Sequence, residues 1–147
     1  MAKNLPPNKR YIATHDANGK SVYAPSPEQE YRPAGSGLIA RSYSANVPAK
    51  LEGEEDIKAY LAGPESVNSV QRSEIVVPPE DGKNIGSNLV VVDLNPGGFS
   101  ALHRTVSIDY SICVIGTIIH ELDSGERVTL KPGVGGLFWE RQQKHAN

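Results

Sequence analysis

The sequence predicts an all-β domain of the sandwich or jelly-roll kind, and three observations carry that expectation. Its 14 glycines and 11 prolines are spread over the whole chain and break it into short runs. Those runs are rich in β-branched residues, as in Leu89-Val90-Val91-Val92 and Ile112-Cys113-Val114-Ile115. Helical patterning is confined to one short stretch, which leaves no room for alternating βαβ units.

Taken in order, residues 1–9 are polar and proline-containing and read as a flexible tail. Arg10–Thr14 and Lys20–Ala24 flank Asp16-Ala17-Asn18-Gly19, whose Asn-Gly pair supplies the positive φ of a tight hairpin. Ala24 to Gly37 lacks a period and is expected to be a loop, followed by a strand over Gly37–Ala45. The helix is expected over Gly53–Ala62, with acids in its first turn and Gly63-Pro64 ending it. Further strands are expected over Ser73–Val77, Ser87–Leu94, Leu102–Ile115, Thr117–Leu122, Arg127–Leu130 and Leu137–Glu140. The breaks between them are Pro78-Pro79, Asn95-Pro96-Gly97-Gly98, Gly116, Asp123-Ser124-Gly125 and residues 131–136.

A chain of 147 residues suits one domain, here residues 10–147. Its 15 basic and 17 acidic residues nearly cancel, and no basic run is long enough to follow a phosphate backbone, so nucleic acid is not expected as a partner. The apolar runs fall far short of the roughly 20 residues that cross a bilayer, so no membrane span is expected. Residues 1–10 contain no apolar segment of a secretory kind, which makes a cytoplasmic protein the expectation. The single Cys113 sits in an apolar run and reads as a small buried hydrophobe rather than a reactive thiol.

From Leu102 the residues alternate, so a continuous strand would place His103, Thr105, Ser107 and Asp109 on one face. A polar row pointing one way fits a cavity that holds a ligand, a metal or ordered water, because an unsatisfied polar group in a dry core costs ~1–3 kcal/mol.

Gly97, five residues, His103, one residue, Thr105, three residues, Asp109, six residues and Gly116 repeat the spacing of the first cupin motif, G-x5-H-x-H-x3/4-E-x6-G. His103 stands at the first metal histidine, Thr105 replaces the second, and Asp109 replaces the glutamate. The string His103-Arg104-Thr105-Val106-Ser107-Ile108-Asp109-Tyr110, with the later Leu122-Asp123-Ser124-Gly125-Glu126, resembles small fungal cupins associated with polyketide and other secondary-metabolite pathways. The second motif, G-x5-P-x-G-x2-H-x3-N, is matched poorly: Lys131-Pro132-Gly133 resembles the turn before it, and Glu140-Arg141-Gln142-Gln143-Lys144-His145-Ala146 keeps the Arg, His and Ala that the small fungal members carry there. The resemblance implies an antiparallel jelly-roll barrel with at most one or two short helices. Family members continue for one or two strands beyond the position of Asn147, so a second subunit or the N-terminal hairpin is expected to cover the open edge; dimers with exchanged N-terminal strands are common among cupins, and the resemblance implies a homodimer.

Three functional readings remain open on these residues. In the first, a small-molecule enzyme does dehydratase, isomerase, cyclase or decarboxylase chemistry on a polyketide-like or other carbonyl-bearing substrate. His103 moves the proton, Asp109 orients it, and Thr105, Ser107 and His120 bind substrate. In the second, His103, Asp109 and His145 hold Fe, Mn or Zn, as in a dioxygenase-like cupin. In the third, a cupin without turnover binds a small ligand or serves a structural role, and His103 and Asp109 satisfy each other. Lyase or isomerase chemistry is preferred over oxygenase chemistry. His15 is expected to be a solvated turn residue, Tyr110 and Trp139 to be packing residues, and Arg104 to point outward.

Overall fold

The structure is a computed structural model that describes residues 5, 8–62, 85–103, 107–133 and 135–139. It is built of antiparallel strands with one short α-helix, which bears out the all-β expectation. Two compact units are present, Met1–Ser100 and Ala101–Asn147.

In the first unit, β1 (Ile12–His15) and β2 (Ser21–Ala24) form the expected hairpin. The loop is held by its aspartate: Asp16 Oδ1 accepts from the backbone N–H groups of Asn18 at 2.8 Å and Lys20 at 2.9 Å. Of the Asn-Gly pair, only Gly19 takes positive φ, at 76°. The side-chain bonds of Asp16 shape the rest of the turn.

The Pro-rich stretch expected to be a loop contains a three-residue strand, β3 (Arg32–Ala34), which pairs with β4 (Gly37–Val47). Pro33 cannot donate to a ladder, which hides the strand in the sequence. In the order β3-β4-β5 the strand lies at an edge, where that loss is tolerated.

β4 pairs over its length with β5 (Ile85–Leu94), but Arg41 opposes Val90 while Tyr43 opposes Leu89, so Ser42 is the extra residue of a β-bulge. Ser44 opposes Asn88, and its buried hydroxyl donates to Asn88 Oδ1 at 2.7 Å.

A 3-10 turn over Glu52–Glu54 leads into α1 (Glu55–Leu61). The observed helix is shorter than expected because Gly53 and Glu54 lie at φ of 62° and 58°, which breaks the chain before Glu55. Ile57 and Tyr60 bury one side of α1 with Ile12, against Ala24, Tyr43 and Leu61.

A polar knot ties this core to the bulge. The Tyr60 hydroxyl donates to the Ser42 carbonyl at 2.8 Å and accepts from Arg10. Arg10 also reaches Ser42 O and Pro27 O, each at 2.6 Å, and Ser26 Oγ at 3.0 Å. The Ser42 carbonyl is free for two donors because the bulge removes its residue from the ladder.

The second unit has two antiparallel pairs. β6 (Ile108–Ile112) pairs with β9 (Gly135–Trp139), and β7 (Ile118–Glu121) pairs with β8 (Arg127–Leu130). The β7–β8 turn is the expected Leu122–Glu126 segment. It is closed by Leu122 N–H on Glu126 O and Gly125 N–H on Leu122 O, both at 2.9 Å, with Gly125 at φ 84°. Arg127 and Glu121, register partners, form an ion pair at 3.0 Å. Cys113 is 3% exposed with its thiol 3.7 Å from the carbonyls of Ile115 and Gly116, as the packing reading expects. The strand expected over Ser73–Val77 lies outside the described residues. No described helix is long and apolar enough to cross a membrane.

Candidate functional site

The two glycines that bracket the motif both occupy turns. Gly97 lies at φ 72° and Gly116 at φ 82°, a region that favours glycine. At Gly98 the reason is spatial: its N–H donates to Asn95 O at 2.7 Å, and a Cβ would stand 2.9 Å from the Cβ and carbonyl oxygen of Ser36. The turn after β5 is thus packed onto the β3–β4 turn.

The continuous strand expected from Leu102 is not formed. Ala101–His103 are irregular, residues 104–106 lie outside the described set, and β6 begins at Ile108. Alternation alone cannot make a strand, and among the described residues β9 supplies a ladder opposite Ile108–Ile112. The single polar row is therefore observed only at its end, where Ser107 immediately precedes β6 and Asp109 lies on it.

Ser107 Oγ donates to Asp109 Oδ1 at 2.9 Å. His103 Nδ1 lies 2.9 Å from the Ala101 carbonyl oxygen, its partner two residues away. Among the described residues no hydrogen bond joins His103 to Asp109. The contact that fixes the imidazole is the Ala101 carbonyl, which no residue type in the sequence could have announced. His103, Ser107 and Asp109 are exposed; His120 is half-buried on β7 opposite Val128. Tyr110, expected to pack, is 78% exposed, because the described residues place nothing over this part of β6.

Thr105 and His145 lie outside the described residues, as do Arg104 and the side chain of Trp139. Among the described residues no group of three or more His, Cys, Asp or Glu side chains could hold a metal ion. In the ligand set His103, Asp109 and His145, the first two rest on the spacing of the first motif and His145 on the resemblance of residues 140–146.

Perturbed ionisation is found in the first unit. Burial, then the hydrogen bond to Asp56, pushes the Tyr43 hydroxyl up to about 12. Burial also raises Tyr60, opposed by Arg10, and burial with the like charge of Arg32 lowers Arg41. Tyr60 belongs to the polar knot, the Tyr43 ring packs on it, and Arg41 lies beside the bulge on β4.

No family model matches the chain. Over 130 residues the chain is 37% identical to phomopsin biosynthesis cluster protein C' of Diaporthe leptostromiformis, a match covering 84% of this chain and 62% of that protein. It is 32% identical over 133 residues to the cupin-domain-containing oxidoreductase fogC of Aspergillus ruber, covering 84% and 56%. It is 31% identical over 128 residues to the cupin-domain-containing oxidoreductase virC of Hypocrea virens, covering 84% and 59%. The chain spans less than two thirds of the length of these relatives. The names of the two oxidoreductases, the antiparallel strand framework and the glycine-bracketed motif agree: the chain is similar to cupins, all-β jelly-roll proteins, and to proteins of fungal biosynthesis clusters.

Proposed function

We propose that the chain is a small-molecule enzyme of secondary metabolism that moves a proton on a polyketide-like or other carbonyl-bearing substrate, with His103 and Asp109 as its acid–base pair. The observation that carries this reading is that, among the described residues, each group is anchored through one atom. Ala101 O engages Nδ1 of His103 and Ser107 Oγ engages Oδ1 of Asp109, which leaves Nε2 and Oδ2 for a bound molecule. His103 takes a proton from the carbon beside the carbonyl. The imidazolium then returns that proton to another carbon in an isomerase, or to a departing hydroxyl, released as water, in a dehydratase. Asp109 accepts from a substrate hydroxyl, and Thr105, Ser107 and His120 contribute further contacts.

His103→Ala and Asp109→Asn test the pair on an intermediate of the relevant pathway. Each is expected to lower turnover by about 10²-fold or more, in line with the worth of a positioned acid or base. Full turnover in both variants would refute the assignment.

A second reading is favoured by the names of the two oxidoreductase relatives. In it, His103, Asp109 and His145 hold Fe, Mn or Zn; Fe or Mn would supply redox chemistry, and Zn would act as a Lewis acid. Elemental analysis of protein purified without chelator decides this. Below roughly 0.1 metal per chain, with no gain in stability on adding those ions, the metal reading fails.

The exposed apolar side chains Ile108, Tyr110 and Ile112 support a homodimer in which a second copy covers them. Its measure is the apparent mass in solution. A non-catalytic ligand-binding cupin would instead retain its ligand with no product.

A further inference from the structure

We infer that His103 acts through Nε2, with the backbone carbonyl of Ala101 as the positioning group that fixes its tautomer. The inference rests on the acid–base reading above and names the working atom. A carbonyl oxygen only accepts, so a 2.9 Å contact with Nδ1 requires the hydrogen to be on Nδ1. A neutral imidazole carries one ring hydrogen, so Nε2 is left with a lone pair. The contact spans two residues and is complete within Ala101–His103, so it does not depend on packing elsewhere.

The tautomer has a consequence for what can bind. Nε2 of His103 is an acceptor, and Oδ2 of the Asp109 carboxylate is a second acceptor, because Ser107 already occupies Oδ1. A group that meets Nε2 must bring a hydrogen, and so must one that meets Oδ2, so a carboxylate or phosphate oxygen is matched by neither atom.

The test is nitrogen NMR of the full chain labelled with 15N-histidine, recorded with the rings neutral. The chain has 4 histidines, and His103→Gln assigns the ring of interest by its disappearance. Should that variant fail to fold, His15→Gln, His120→Gln and His145→Gln give the same assignment by elimination. The expected result is a protonated, pyrrole-like Nδ1 and an unprotonated, pyridine-like Nε2. An unconstrained histidine in water prefers the opposite tautomer, so the outcome is not the default one. A hydrogen on Nε2, or two nitrogens averaged by exchange, overturns the inference whatever the enzyme does. Turnover by His103→Gln is read separately. If the tautomer is as expected but turnover is unchanged, the acid–base function fails and Nε2 loses its role with it. If turnover is lost while Nε2 carries the hydrogen, the function stands and the assigned atom is wrong.

Discussion

Tyr43 and Asp56 join the long strand of the first unit to its helix: the Tyr43 hydroxyl donates to Asp56 Oδ2 at 3.1 Å, while the Tyr43 and Tyr60 rings lie 4.6 Å apart. The bond requires the neutral phenol, and burial with the neighbouring carboxylate raises its ionisation to about 12. A group whose folded value is raised contributes stability that is complete below its unfolded value, about 10 for tyrosine, and is lost as pH climbs through the folded value. Denaturant midpoints of the native protein are therefore expected to fall between pH 10 and about 12. Tyr43→Phe should be less stable below pH 10 by about 0.5–1.5 kcal/mol, and the gap should close above it. A gap that stays constant across that window would show that Tyr43 does not ionise with a raised value in the folded state.

Arg10 is expected to be worth more than a surface cation. Its guanidinium donates to Ser26, Pro27, Ser42 and Tyr60 and stacks 4.9 Å from the Tyr60 ring. Arg10→Ala should cost about 1–3 kcal/mol, because it strips partners from a buried hydroxyl and a bulge carbonyl. Tyr60→Phe should cost about 1 kcal/mol, and the double variant should lose less than the two single changes together. Strict additivity in urea melts would remove the knot as a cooperative unit.

Gly37 and Gly97 separate steric from conformational need. A Cβ on Gly37 would stand 2.0 Å from the Asp93 carbonyl oxygen of the paired strand, so one backbone must move. A Cβ on Gly97 would meet nothing within 4 Å, but the residue lies at φ 72°. Gly37→Ala is expected to cost about 3 kcal/mol or more, and Gly97→Ala about 1 kcal/mol. Thermal or urea melts giving the reverse order would contradict the β4–β5 register.

What the sequence disclosed follows from how local each signal is. The β1–β2 hairpin, the helix and the Leu122–Glu126 turn were legible because glycines, acids and β-branched runs act over a few residues. β3 was hidden by Pro33, which reads as a loop residue until an edge position excuses it. The strand from Leu102 was overextended because alternation shows which side chains would share a face, while hydrogen bonding to β9 decides where a ladder exists. The Arg10 knot joins residues up to 50 positions apart, and no local pattern encodes it. At the site, the motif spacing located His103 and Asp109, but their anchors are a backbone carbonyl and a hydroxyl assigned to substrate.

Ser107 is where that last difference can be measured. A hydroxyl that binds substrate and one that holds Asp109 in place predict different kinetics. If Ser107 orients the carboxylate, Ser107→Ala lowers kcat and leaves KM nearly unchanged, since the lost bond is within the protein. Hydrogen bonds to charged groups are worth about 1.5–3 kcal/mol when shielded, and exposure of this pair brings the expected loss down to about tenfold in kcat. Ser107→Thr keeps an Oγ and should recover most of it. If Ser107 binds substrate instead, KM rises with kcat little changed, and Thr restores binding only where its extra methyl is accommodated. A rise in KM alone would thus return Ser107 to the substrate and leave Asp109 to be held by another group.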